Sequence, residues 1–195
     1  MRRLLLQAMI SYRRRWISPL CLLFVTGNLV AQAPAIPPTI EYQVKASLVF
    51  NFLHFVEWPE DVFKNTQGEI TICMIGPNVY GNALKVLEGE VAQGKRLTVR
   101  MHTEGWFSAL AETCRVAIFT ERSPELPRTA LPALADKSVL TVGETSSFLR
   151  DGGIIKFKIV NETVQFEINH GMAKRARLTV SSKLLRLASN VINAN

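Results

Sequence analysis

Apolar residues recur along this chain in two different periods, and the change from one to the other marks out its elements. Over residues 41–59, Val44, Leu48, Val49, Phe52, Phe55 and Val56 fall near helical spacing and line one broad apolar face. Trp58 and Pro59 mark the end of that helix, because a proline restricts the residue before it. The three phenylalanines of this helix, Phe50, Phe52 and Phe55, read first as core packing. From Glu69 the period shortens. Residues 69–75 read as a β-rich run, closed by Gly76-Pro77-Asn78 and followed by a helix reaching Leu87. Residues 94–102 set Leu97, Val99 and Met101 against polar neighbours, a second strand. Residues 106–112, beginning at Trp106, predict a short helix, and 114–120 a third strand apolar enough to be central. Residues 129–136 predict a helix that Pro132 holds to a turn or two. Residues 138–142 predict a fourth strand and 146–150 a short helix. Residues 154–159 and 163–168 predict a hairpin around Val160-Asn161-Glu162. The chain then reads as helix (169–176), a short extended piece (178–180) and a last helix (181–192), with Ser181 or Ser182 as its N-cap.

Strands alternating with short helices predict an α/β fold: a single-domain sandwich whose mixed, mostly parallel sheet carries helices on both faces, with a C-terminal β-hairpin plus helix. At 195 residues the chain is long enough for one domain with a real core.

Charge changes the picture less than its total suggests. The formal net charge is +7, but Arg2, Arg3, Arg13, Arg14 and Arg15 lie in the first 33 residues, which hold no acid. Setting those five aside leaves 18 basic residues against 16 acidic ones, a net of +2. The remainder lacks the basic footprint of a nucleic-acid binder. The leading segment itself reads as a secretory signal peptide over 1–33. Arg13 to Arg15 supply the positive start, residues 17–30 an apolar stretch broken by Pro19 and Gly27-Asn28, and Ala31-Gln32-Ala33 the small residues for cleavage. That stretch is short and interrupted for a membrane span, though an uncleaved anchor is the competing reading. Cys21 follows the bulky Leu20, against a lipoprotein signal. Residues 34–40 read as an extended, Pro- and Ala-rich linker, and 41–192 as the folded domain.

Beyond the leader two cysteines remain, Cys73 and Cys114. In an oxidising compartment paired cysteines tend to be bridged; two buried thiols are the alternative.

The catalytic vocabulary is thin. No phosphate-cradling glycine motif and no nucleophile elbow is present. His54, His102 and His170 lie in different segments, none beside another His or a Cys at metal-ligand spacing. The reading is therefore no catalytic residue, no metal site and no cofactor. Two groups are candidates for binding. Glu57 and Trp58, with His54 four residues before Trp58 on the same predicted helix face, make either helix packing or part of a partner surface. Lys174, Arg175 and Arg177, next to Glu167 and Asn169 at a strand end, make either a solvated helix end or a patch for an acidic partner or an anionic ligand.

Three blocks carry a family likeness. The first is residues 44–59, from Val44 to Trp58-Pro59. The second is Ile72-Cys73-Met74-Ile75-Gly76, with Cys114-Arg115-Val116-Ala117-Ile118-Phe119 downstream. The third is residues 151–188, a glycine turn at Asp151-Gly152-Gly153, two alternating strands and two helical segments. In this order and spacing the chain resembles the YfiR-like family of small periplasmic regulators. That resemblance implies a non-enzymatic α/β protein, exported to the periplasm and often a homodimer. It implies a partner in the periplasmic domain of a membrane diguanylate cyclase, or by extension a sensor kinase, whose output it restrains. An outer-membrane lipoprotein would sequester it, and cyclic-di-GMP, biofilm and motility would follow. Cys73 and Cys114 match the family's commonest cysteine pair; the second bridge of some members, near 145–153, has no counterpart here. The alternative function is a periplasmic module that senses a small ligand, held in the crevice at the carboxyl ends of the strands, near Gly76-Pro77-Asn78, Thr120-Glu121 and Gly143-Glu144.

Overall fold

Three short strands with no exposed residue organise the molecule. The computed structural model describes residues 40–64, 68–102 and 107–194, and only the backbone of Ser108. The expected signal peptide, nearly all of the linker and Trp106 lie outside the described residues. In chain order the elements are α1 (Ile40–Phe55), β1 (Val56–Glu57), a 3₁₀ turn (Glu60–Phe63), β2 (Ile70–Ile75), a 3₁₀ turn (Lys85–Leu87), β3 (Val91–Ala92), β4 (Lys95–His102), α2 (Phe107–Thr113), β5 (Val116–Phe119), α3 (Glu125–Leu134), β6 (Leu140–Gly143), β7 (Ile155–Val160), β8 (Thr163–Asn169), α4 (His170–Arg175), β9 (Thr179–Val180), α5 (Ser182–Leu187) and β10 (Asn190–Ile192).

Eight strands form one sheet in the order β10-β8-β7-β6-β5-β2-β4-β3, and β1 pairs with β9 in a separate two-stranded ribbon. The pairs β4–β2, β2–β5, β5–β6, β6–β7 and β8–β10 are parallel, whereas β3–β4 and β7–β8 are antiparallel hairpins. This is the mixed, mostly parallel α/β sheet expected from the pattern. β2, β5 and β6 are buried on both faces, so their side chains alternate between two cores rather than between core and water. Ile70, Ile72, Met74, Val116 and Ile118 face one core with α1, α4 and α5 residues such as Val49, Phe52, Ala173 and Leu184. Cys73, Ile75, Ala117 and Phe119 face the other, with Leu110 of α2 and Ala130, Leu131 and Leu134 of α3. Helices therefore cover both faces.

Several local expectations change. α1 buries Lys45, Ala46, Val49, Phe52 and Leu53, while Val44 is 40% exposed, so the stripe is rotated by about one residue and includes a lysine. α1 stops at Phe55, not Trp58, because Val56–Glu57 turn extended to pair with β9; His54 and Trp58 therefore do not share a helix face. The helix expected up to Leu87 is only turns and a 3₁₀ segment. Residues 146–150 form turns, not a helix. α3 begins four residues earlier than expected and carries both Pro127 and Pro132. The last helix ends at Leu187, and the chain beyond it becomes β10.

Candidate partner-binding surface

The surface is built where α1 ends. A helix leaves its last carbonyls without partners, and here other segments supply them. The Gln93 side-chain amide donates to Leu53 O at 2.5 Å and Val56 O at 2.6 Å, and Ser181 N donates to Phe55 O at 2.9 Å. Gln93 reaches this position because it holds φ +53° in the Gln93-Gly94 turn of the β3–β4 hairpin. The chain is thus drawn out at Val56, and Glu57, Trp58 and the turn at Glu60–Phe63 line an open cleft of about 720 Å³ with Lys64 and Lys95. Lys95 Nζ lies 4.3 Å from the centre of the Phe63 ring. Glu57 is exposed; Trp58 is only 7% exposed, and its indole Nε1 finds no hydrogen-bond partner among the described residues. The cleft therefore carries both signs of charge over an aromatic wall, a mixture suited to a polar protein surface. His54 also lines it, its ring edge-on to Phe50 at 4.9 Å.

One buried cation holds this surface to the rest of the fold. Arg115, 4% exposed, has no acid partner among the described residues. It donates instead to the carbonyls of Ala111, Cys114, Glu112 and Val62 at 2.8–3.1 Å. Burial lowers its pKa, yet an arginine stays charged. Three of those carbonyls belong to the end of α2 and the residue after it, and Val62 belongs to the turn beside Trp58. The neighbouring Cys114 is bridged to Cys73 of β2, with Cα atoms 5.8 Å apart. The bridge ties α2 to the sheet, and Arg115 ties the cleft's turn to α2.

The predicted basic cluster joins this region but is largely neutralised by the chain itself. Arg177 pairs with both carboxylate oxygens of Asp61 at 3.0 and 3.1 Å, and Arg175 with Asp136 at 2.9 Å. Those hydrogen bonds hold both aspartate carboxyls below their usual range. Because β9 pairs with β1, placing Thr179 opposite Glu57, Arg177 falls close in register to Glu57 and Trp58. Glu167 instead lies between Lys156 at 2.7 Å and Lys158 at 3.1 Å on the β7–β8 hairpin. Asn169 is buried as the N-cap of α4, accepting from Met172 N at 3.1 Å. The structure therefore gathers Glu57, Trp58 and Arg177, and gives Glu167 and Asn169 internal partners.

Comparison with known proteins decides the family. The YfiR/HmsC-like family matches residues 42–189. The chain belongs to that family. Among curated proteins nothing matches. Among solved structures, a conserved domain protein from Vibrio cholerae O1 biovar El Tor strain N16961 is similar at 14% identity with a TM-score of 0.52. That likeness covers 77% of this chain, which spans only 60% of the other protein's length, and at this identity it speaks to fold alone.

At the carboxyl ends of the strands, where an open α/β sheet usually holds a ligand, this family member places a cluster of buried polar side chains. The strand order reverses around β2, with β4 on one side and β5 on the other. From the loop after β2, Tyr80 Oη donates to Glu144 Oε1 at 3.0 Å, reaching across the end of β5 to the loop after β6. Lys45 of α1 adds ion pairs to Glu144 at 3.1 Å and Glu41 at 2.5 Å. Burial alone would lower the Lys45 pKa, but the Glu41 hydrogen bond and the Glu144 charge together raise it. Burial, with the Glu144 charge, pushes the Tyr80 phenol well above its ordinary value. Sequence reasoning missed this cluster, although a lysine inside the apolar stripe of α1 was its signal. It also missed Arg115, a cation directly before an apolar strand. Nor does spacing along the chain reveal that His102, at the end of β4, approaches the bridge: one donor atom from each of Cys73, His102 and Cys114 lies within 4.8 Å of the others. Burial, then the charge of Arg100, lowers the His102 pKa.

Proposed function

We propose that this protein is a non-catalytic periplasmic regulator, exported by a leader that is then removed. It binds the periplasmic sensor region of a membrane diguanylate cyclase and holds that enzyme inactive. The observation that carries the reading is the family match over residues 42–189. The surface we assign to the contact is the Trp58 cleft with Glu57, Lys64, Lys95 and the neighbouring Arg177. Restraint requires only that this surface bind the inactive state of the receptor more tightly than the active one. An outer-membrane lipoprotein would release the cyclase by competing for the regulator.

The test is co-purification of the membrane enzyme from detergent extracts, paired with intracellular cyclic-di-GMP. Glu57→Arg and Lys95→Glu, both on the cleft, should lose the partner and raise cyclic-di-GMP, whereas Val86→Ser, at an exposed residue outside the cleft lining, should not. If no cyclase co-purifies and neither cleft variant alters cyclic-di-GMP, the proposal fails.

A second reading, a small-ligand sensor, is favoured by the cleft volume, which lies in the range of ligand sites of ~300–1,000 Å³. Its ligand would enter beside Trp58 rather than at the strand ends, where Lys45, Tyr80 and Glu144 stand. Saturable binding of a small molecule to the isolated protein, abolished by Lys95→Glu, would support it.

A further inference from the structure

We propose that the reduced form of this protein binds a Zn²⁺ ion between the Cys73 and Cys114 thiolates and the His102 imidazole. Three observations meet here. The three donor atoms converge within 4.8 Å although they come from β2, the end of β4 and the residue after α2. His102 Nε2 is buried and has no hydrogen-bond partner among the described residues. A buried imidazole nitrogen left unpaired is costly, so a group that accepts its lone pair has value there. Third, the register of β4 with β2 places His102 beside Ile75, on the sheet face that carries Cys73, so the imidazole and both sulfurs approach from one side.

The donor set selects the ion. Two thiolates and an imidazole suit zinc or copper(I) rather than calcium or magnesium. Both cysteines are fully buried among Ile75, Leu110 and Phe119. In such apolar surroundings two thiolates and a divalent ion make a complex with no net charge, whereas Cu⁺ leaves one negative charge uncompensated. The sulfurs need little backbone movement to part from bonding distance to the separation across a metal, since the Cα atoms already lie 5.8 Å apart.

The chemistry has two balanced steps. A dithiol reductant delivers two electrons and two protons to the bridge and becomes a disulfide itself, leaving two thiols here. Zn²⁺ then displaces the two thiol protons to solvent while the imidazole contributes its lone pair. The metal would replace the covalent tie between α2 and β2 with a coordinate one. It would thereby keep Arg115 and the turn at Val62 in place when the bridge is open. This step is independent of which partner the cleft binds.

The experiment uses the full mature chain, oxidised and after treatment with a dithiol reductant, titrated with Zn²⁺ by calorimetry and with Co²⁺ by absorption. The reduced wild type should bind one equivalent, show a thiolate-to-cobalt charge-transfer band and keep its folded circular dichroism. The oxidised protein should bind none. His102→Ala should melt like wild type when oxidised. When reduced, it should bind more weakly by at least the ~10–100-fold typical of losing even an outer-sphere partner. Equal affinity in reduced wild type and His102→Ala would overturn the site. So would binding of Cu⁺ but not Zn²⁺, or a cobalt band seen only with loss of the folded signal.

Discussion

Phe148 shows how tightly single residues are fitted. Its ring lies between Gly143 and Gly153; a Cβ on Gly153 would sit 2.1 Å from it, and one on Gly143 2.2 Å. Both glycines are needed for space, not for backbone freedom, and the Gly153→Ala variant should lose ~1–3 kcal/mol or more through overpacking, measured by urea denaturation. Arg115 is a second case. Arg115→Ala would strand four carbonyls around a void, at about 3 kcal/mol by the scale of hydrogen bonds to charged groups. Amide exchange in the turn at Glu60–Phe63 should quicken with it; an unchanged exchange rate there would remove Arg115 as the tie. The Lys45–Glu144–Tyr80 cluster makes a pH prediction. Lys45 and Tyr80 both hold their protons more tightly folded than unfolded. Their contribution is therefore complete below the unfolded values near ~10–10.5 and fades as pH rises past them. Denaturant midpoints should fall above about pH 10, and less steeply in Tyr80→Phe.

Elements were legible where their signal was local. The hairpin expected around Val160-Asn161-Glu162 forms, but Val160 pairs with Thr163, so the turn is only Asn161-Glu162, both at positive φ, +48° and +60°. Glu162→Gly should stabilise the protein by about 1 kcal/mol, because glycine adopts that region without strain; a lower melting temperature would contradict the turn geometry. Ser181 caps α5 as expected, accepting from Leu184 N at 3.3 Å. The elements that were misread depend on partners far away in sequence. Val56–Glu57 leave α1 because β9, more than a hundred residues later, pairs with them. Residues 190–192 carry an apolar pattern compatible with a helix, but the parallel edge of β8 takes them as a strand. No local period encodes either choice.

At the scale of the molecule, the Cys73–Cys114 bridge closes a loop with a sequence separation of 41. In the chain-entropy model a loop of that size contributes ~4 kcal/mol. Replacing both cysteines with alanine should lower the melting temperature by roughly 8–16 °C in a domain of this size, and the partner binding proposed for the Trp58 cleft should weaken with it. A melting curve indifferent to the substitution would deny the bridge its role as staple. The mixed, mostly parallel sheet, the helices on both faces, the hairpin and the family likeness were all open to the sequence. Periodicity, turn chemistry and three ordered blocks are properties of neighbouring residues and of composition. The proposed surface was half visible: the fold brings Glu57, Trp58 and Arg177 into one region, whereas Glu167 and Asn169 are held internally by Lys156, Lys158 and α4. Whether a charged side chain is free or spent depends on which opposite charge or carbonyl the fold brings within about 3 Å, and that is decided only when distant segments meet. Lys45 against Glu144, Arg115 against Val62 and His102 against the sulfurs are all contacts of this kind, made by tertiary packing and absent from any local pattern.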